Sequence, residues 1–151
     1  MGDISKVRIL PRSTDILVGC YPCQGFSIYD ARKYNNEPQN FLYMQFVMVL
    51  SQTKPKFFLA ENVKDPLYGY GRTILKEMLK KFKSRGYDIQ WHLINAKNYG
   101  VPQDRERIII IGKRKDLLKK YIFPEQTHGP NLRPYSTLHQ EIGNLPEPNK
   151  E

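Results

Sequence analysis

Three small groups of residues in this chain could do chemistry. Cys20 and Cys23 stand three apart, just after a short apolar run, and offer either a lone attacking thiolate or a C-x-x-C redox pair. Glu61-Asn62 closes a second apolar run, so a carboxyl group would stand at another strand end, where side chains can face a ligand. Gln103, Arg105 and Arg107 precede a third apolar run, and the two arginines share a side if that segment is extended. Paired guanidinium groups supply fixed positive donors for a carbonyl oxygen or a phosphate. Taken singly, each group also has a plain structural meaning: a small buried thiol, a cap, and a solvated basic face.

The elements that must position these groups follow from the pattern of apolar residues. Residues 15–19 read as a buried strand, and residues 24–40, polar and turn-rich, as a long loop of the functional kind. Residues 41–53 place Leu42, Phe46, Val49 and Leu50 at helical spacing and stop before Pro55. Residues 57–60 repeat the buried-strand pattern. Ile74, Leu75, Met78, Leu79 and Phe82 then line one helix face, opposite Lys76, Lys80, Lys81 and Lys83, and Gly86 ends that helix in a left-handed cap. Residues 88–94 alternate and read as half-exposed; residues 107–111 are continuously apolar and read as buried. Beyond Lys120 the prolines predict an extended or partly disordered tail. The order strand, helix, strand, helix, strand, strand predicts an α/β fold, half of a doubly wound sheet, mostly parallel with a final antiparallel pair.

The bulk composition sets bounds on this picture. A chain of 151 residues suits one domain, and 40% hydrophobic with 26% charged residues excludes a disordered chain. No apolar run reaches membrane-spanning length, so no membrane role is expected. With 24 Lys and Arg against 15 Asp and Glu, the formal charge of +9 favours a polyanionic partner such as nucleic acid. Two cysteines make no disulfide framework and no signal-peptide pattern precedes them, which points to a reducing cytoplasm. No metal-ligand spacing stands out.

Together, Pro22-Cys23-Gln24-Gly25-Phe26-Ser27, then Glu61-Asn62-Val63, then Gln103-x-Arg105-x-Arg107 before an apolar strand resemble, in order and spacing, the catalytic core of the DNA (cytosine-5) methyltransferases. The resemblance runs to about Asp116. It implies a partial Rossmann-like S-adenosylmethionine-dependent fold in residues 1–120, with residues 121–151 a Pro-rich connection toward a target-recognition region. It implies Cys23 as the nucleophile that adds to carbon 6 of cytosine and makes carbon 5 able to accept a methyl group. Glu61 would share a proton with ring nitrogen 3 and the exocyclic amine, and Arg105 and Arg107 would hold the base and its phosphate. Asp3 and Ile4, together with Pro22 and Leu42, would belong to the S-adenosylmethionine site. Carbon 6 is buried in stacked DNA, so the resemblance implies a flipped base, with Gln24, Ser27, Arg32, Lys33 and Gln103 facing double-stranded DNA.

The family's glycine-rich cofactor segment, its recognition region and its last helix have no counterpart in these residues. The expectation is therefore a fragment or a split subunit, inactive alone, whose remaining parts come from elsewhere, a second polypeptide included. Cys20 stands where the family often has glycine, and Asp30 and Gln39 replace a usual glycine and arginine, which bears on loop closure and DNA grip. Cys20 is expected to be a packed neighbour. If the protein is prokaryotic, nucleoid association is expected. Two readings from other classes stand beside this one: thiol–disulfide exchange by Cys20 and Cys23, and a non-catalytic remnant that binds DNA through its basic face.

Overall fold

The structure, a computed structural model, describes residues 4–7, 10, 11, 13–21, 42–69 and 71–146. After a 3-10 turn at Ile4–Lys6 come β1 (Ile16–Gly19), α1 (Leu42–Thr53), β2 (Phe57–Val63), α2 (Gly71–Ser84), β3 (Tyr87–Asn95), β4 (Glu106–Arg114) and α3 (Leu138–Ile142). Further 3-10 turns fill Asp65–Leu67 and Ala96–Tyr99. The strands form one sheet in the order β1-β2-β4-β3. β1 and β2 are parallel, and β4 runs antiparallel to both of its neighbours. This is a mixed α/β sheet with a parallel first pair and a final antiparallel pair β3–β4, as the element order predicts; β2–β4 is antiparallel as well, so the sheet is not mostly parallel among the described strands, because β4 inserts between β2 and β3.

Both long helices lie on one face of the sheet, because their apolar stripes meet the even-numbered residues of β2 and β4. Phe46, Val47 and Leu50 of α1 join Ile74, Met78 and Phe82 of α2 in a single core with Phe58, Ala60, Ile108 and Ile110. Phe58 sits at its centre, with ring centroids 5.6 Å from Phe46, 4.8 Å from Phe82 and 5.2 Å from Tyr87. Edge and tilted ring pairs of this kind add about 0.5–1.5 kcal/mol each beyond the area they bury. Gly112 on β4 makes room for that ring, since a Cβ there would lie 2.0 Å from Phe58. Tyr87 is buried and donates its hydroxyl to the carbonyl of Pro55 at 2.7 Å. Burial pushes its phenol up to about 12. Gly86, at φ 89°, takes the left-handed position after α2 that its sequence context predicts.

Three further sequence expectations change. β1 is not buried: Ile16 and Val18 are 63% and 62% exposed, because among the described residues β1 is an edge strand and nothing described covers its face away from the helices. β2 continues past Ala60 to Val63, so Glu61 and Asn62 lie within the strand and not after it. The tail is not all extended, for Thr137 caps α3 with a reciprocal Thr137–Gln140 capping box. Among the described residues, no helix is long and apolar enough to cross a membrane.

Candidate active site

The alternation of β2 sends Asn62 into the core side and Glu61 to the opposite face. On that face Glu61 meets Arg107 of β4, one diagonal step away in the antiparallel register Glu61↔Ile109 and Val63↔Arg107. Arg107 donates its Nε to Glu61 Oε1 at 2.8 Å, with the two side chains only 22% and 28% exposed. A second guanidinium nitrogen, Nη1, donates to the carbonyl of Glu106 at 2.7 Å. The carboxyl group is thus held in place by a partly desolvated, charge-assisted bond.

Cys20 lies at the exit of β1, against the same carboxylate. Its thiol is pushed up, first by partial burial and then by the charge of Glu61 and a hydrogen bond to it. Cys20 is exposed and not the packed neighbour the sequence predicts, because the end of an edge strand is covered on one side only. Next to it, Asn62 is 4% exposed and donates its Nδ2 to the carbonyl of Tyr21 at 3.4 Å, tying β2 to the residue after Cys20. Its Oδ1 accepts from the amide of Val63 at 2.8 Å. Tyr21 in turn donates its hydroxyl to the sulfur of Met78 at 2.6 Å.

Two clefts flank this centre. One, of about 400 Å³, is polar and is lined by charges of both signs: Lys64, Arg105 and Arg107 with Asp65, Asp104 and Glu106, beside Gln103. Gln103, Arg105 and Arg107 therefore do share one side, with Arg105 standing one residue ahead of β4. The other, of about 330 Å³, is apolar and brings Ile4 and Leu42 together with Gly19, Cys20, Tyr21 and Phe46. Asp3, Pro22, Cys23, Gln24, Ser27, Arg32 and Lys33 lie outside the described residues. Sequence reasoning did not single out Asn62 as a positioning group or Asn95, whose side chain organises the approach to Arg105. A buried polar residue inside a strand was the signal available for the first, and a cap-forming residue before a charged loop for the second. Among the described residues no cluster of His, Cys, Asp or Glu could hold a metal ion.

An arginine-held carboxylate in mid-sheet, beside a thiol at the carboxyl end of a parallel strand and between an apolar cleft and one lined by charges of both signs, puts the candidate site of this α/β protein at the strand ends, where sheets of this class bind ligands. Comparison with known proteins then gives the family. The chain belongs to the C-5 cytosine-specific DNA methylase family, whose pattern matches residues 1–151. The Type II methyltransferase M.BspRI of Lysinibacillus sphaericus is 42% identical over 145 residues, covering 95% of this chain and 34% of that protein. M.BsuRI of Bacillus subtilis is 41% identical over 145 residues, covering 95% and 33%. Among solved structures, a protein described as a DNA modification methyltransferase encoded within an E. coli prophage shares 31% identity and a TM-score of 0.67, covering 88% of this chain and 35% of that one. Spodoptera frugiperda DNMT2, at 23% identity, shares the fold with a TM-score of 0.60, covering 90% and 40%. The chain spans about a third of the length of these two curated relatives.

Proposed function

We propose that these residues form the nucleophile and arginine half of an enzyme that methylates carbon 5 of cytosine in double-stranded DNA. The observation that carries the reading is the Glu61–Arg107 pair at 2.8 Å on adjacent strands, next to the exit of β1. In this reading the thiolate of Cys23 adds to carbon 6 of a flipped cytosine. Glu61, oriented by Arg107, shares a proton with ring nitrogen 3 and the exocyclic amine as charge develops there. Arg105, exposed at the polar cleft, takes a DNA phosphate, and Gln103 stands beside it. Gln24, Ser27, Arg32 and Lys33 are assigned to the loop that closes over the duplex.

The apolar cleft fits part of a cofactor: its volume of about 330 Å³ lies in the range of small-molecule sites, and Ile4 and Leu42 both line it. S-adenosylmethionine, when bound, supplies the methyl group. Asp3, Ile4, Pro22 and Leu42 are the residues we assign to holding it, and residues 121–151 we assign to a connection toward a target-recognition region. The remaining length found in the relatives would complete the cofactor pocket, whether in one polypeptide or in a second. We therefore expect weak cofactor binding and no turnover from the 151 residues alone. Thiol–disulfide exchange gains no support at Cys20, whose thiol is raised where an exchanging thiol needs to be lowered.

The reading is tested by methyl transfer to duplex DNA, with the chain joined to the segments its relatives carry beyond it. Glu61→Gln keeps the shape and removes the carboxyl group that can give and take a proton, and about a 10²- to 10⁴-fold loss of rate is the order of magnitude expected for such a group. An unchanged rate would remove Glu61 from the reaction.

A further inference from the structure

The two arginines at the polar cleft are held in different ways. Arg107 is fixed by its side chain, through Glu61. Arg105 is exposed, and its guanidinium makes no hydrogen bond or ion pair to a described residue. What is fixed is its backbone. The amide of Arg105 donates to Asn95 Oδ1 at 3.1 Å, and its carbonyl accepts from the amide of Ala96 at 3.0 Å.

Asn95 makes this arrangement with a single planar amide. Its Oδ1 also accepts from the amide of Lys97 at 3.2 Å, and its Nδ2 donates to Asp104 Oδ1 at 2.6 Å. The last residue of β3 is thereby tied to the turn that follows it and to the two residues that lead into β4. The other oxygen of Asp104 accepts from Lys97 Nζ, which also lies 5.7 Å from the ring centre of Tyr135. Exposed ion pairs such as Lys97–Asp104 stabilise a fold little. Their effect here is geometric: they close the ring of contacts around Arg105.

We propose that Asn95 is the positioning residue of Arg105, locking the backbone beneath it so that the guanidinium, without a partner among the described residues, is presented to a DNA phosphate. The inference rests on the reading of Arg105 as a phosphate contact. A long side chain on a fixed base has fewer degrees of freedom to lose when it binds, so the contact gains by preorganisation. Alanine at position 95 removes both functions of the amide. Aspartate keeps the acceptor for the Arg105 and Lys97 amides but sets a second carboxylate against Asp104.

The test is the binding of the 151-residue chain to a fluorescent DNA duplex, followed by anisotropy over a series of NaCl concentrations. Arg105→Ala is expected to reduce the slope of log K against log salt by about 0.9, the amount for one phosphate contact. Asn95→Ala and Asn95→Asp should reproduce most of that reduction, and Asn95→Ala should add nothing to Arg105→Ala. The doubly substituted Asn95→Asp, Asp104→Asn chain exchanges donor and acceptor at constant charge and should restore the slope. A purely structural role would lower the melting temperature of the Asn95 variants without moving the slope. A normal slope in the Asn95 variants, with a reduced one in Arg105→Ala, overturns the positioning role alone. A slope unchanged by Arg105→Ala overturns the phosphate reading, and the proposal with it.

Discussion

The two halves of the candidate site hang from the sheet differently. Glu61 and Arg107 stand on the inner strands β2 and β4, Arg107 between Val63 and Ile94 and Glu61 opposite Ile109, one residue past the last β1 pairing, and their ion pair is a product of the β2–β4 register. Cys20 and the apolar cleft stand at the end of β1, which among the described residues is paired along β2 only and whose Ile16 and Val18 are 63% and 62% exposed. The charged half is therefore set by long-range hydrogen bonding and by the aromatic core beneath it. The thiol half is set from one side, and its final shape depends on what packs against it.

The strongest way to break this contrast is to remove the shared support. Phe58→Ala empties the centre of the core under β2 and should cost about 3–5 kcal/mol in urea unfolding. A loss below about 1 kcal/mol would mean that the covered face does not hold β2 and β4 in register.

A gentler probe of the same face is alkaline pH. Tyr87 has a folded-state value raised to about 12 by burial, above the ordinary tyrosine value near 10. The raised group favours the folded state below pH 10, where it is neutral in both states, and that advantage is lost as pH rises from 10 toward 12 and the unfolded chain ionises first. Stability should fall across this window in the native chain, and Tyr87→Phe should flatten the fall. An equal fall in both would place its cause elsewhere.

The smallest effect is expected at the open edge. Ile16→Ala should change stability by no more than about 0.5 kcal/mol, as at other exposed positions. A loss comparable to that of Phe58→Ala would show that β1 is covered after all and would erase the contrast.

Much of this was legible in the sequence, and the gaps have physical causes. The spacing of Ile74, Met78 and Phe82 and the run Ile108-Ile109-Ile110-Ile111 fixed α2 and β4, since burial on one side of a helix or on both sides of a strand leaves a pattern. The run Ile16-Leu17-Val18 looks the same whether one face or two are covered, so the exposure of β1 could not be read from it. Glu61 and Arg107 were legible as separate motifs. Their contact was not, because it depends on an antiparallel register between residues 46 positions apart, as the numbering shows. Asn95 was hidden for a related reason: its partners are made by the turn that brings Asp104 and Arg105 back to the end of β3. The cap of α3 was present as Thr137 and Gln140, but the surrounding prolines outweighed it.

The central claim is that the nucleophile is Cys23 and that Cys20, beside Glu61, is not. It is tested most directly by trapping. Duplex DNA synthesised with 5-fluorocytosine throughout is incubated with S-adenosylmethionine and the chain joined to the segments of its relatives, and the denatured mixture is weighed by mass spectrometry. The account predicts a covalent protein–DNA adduct that survives Cys20→Ser and disappears in Cys23→Ser. An adduct retained in Cys23→Ser, or lost in a folded Cys20→Ser chain, would contradict it.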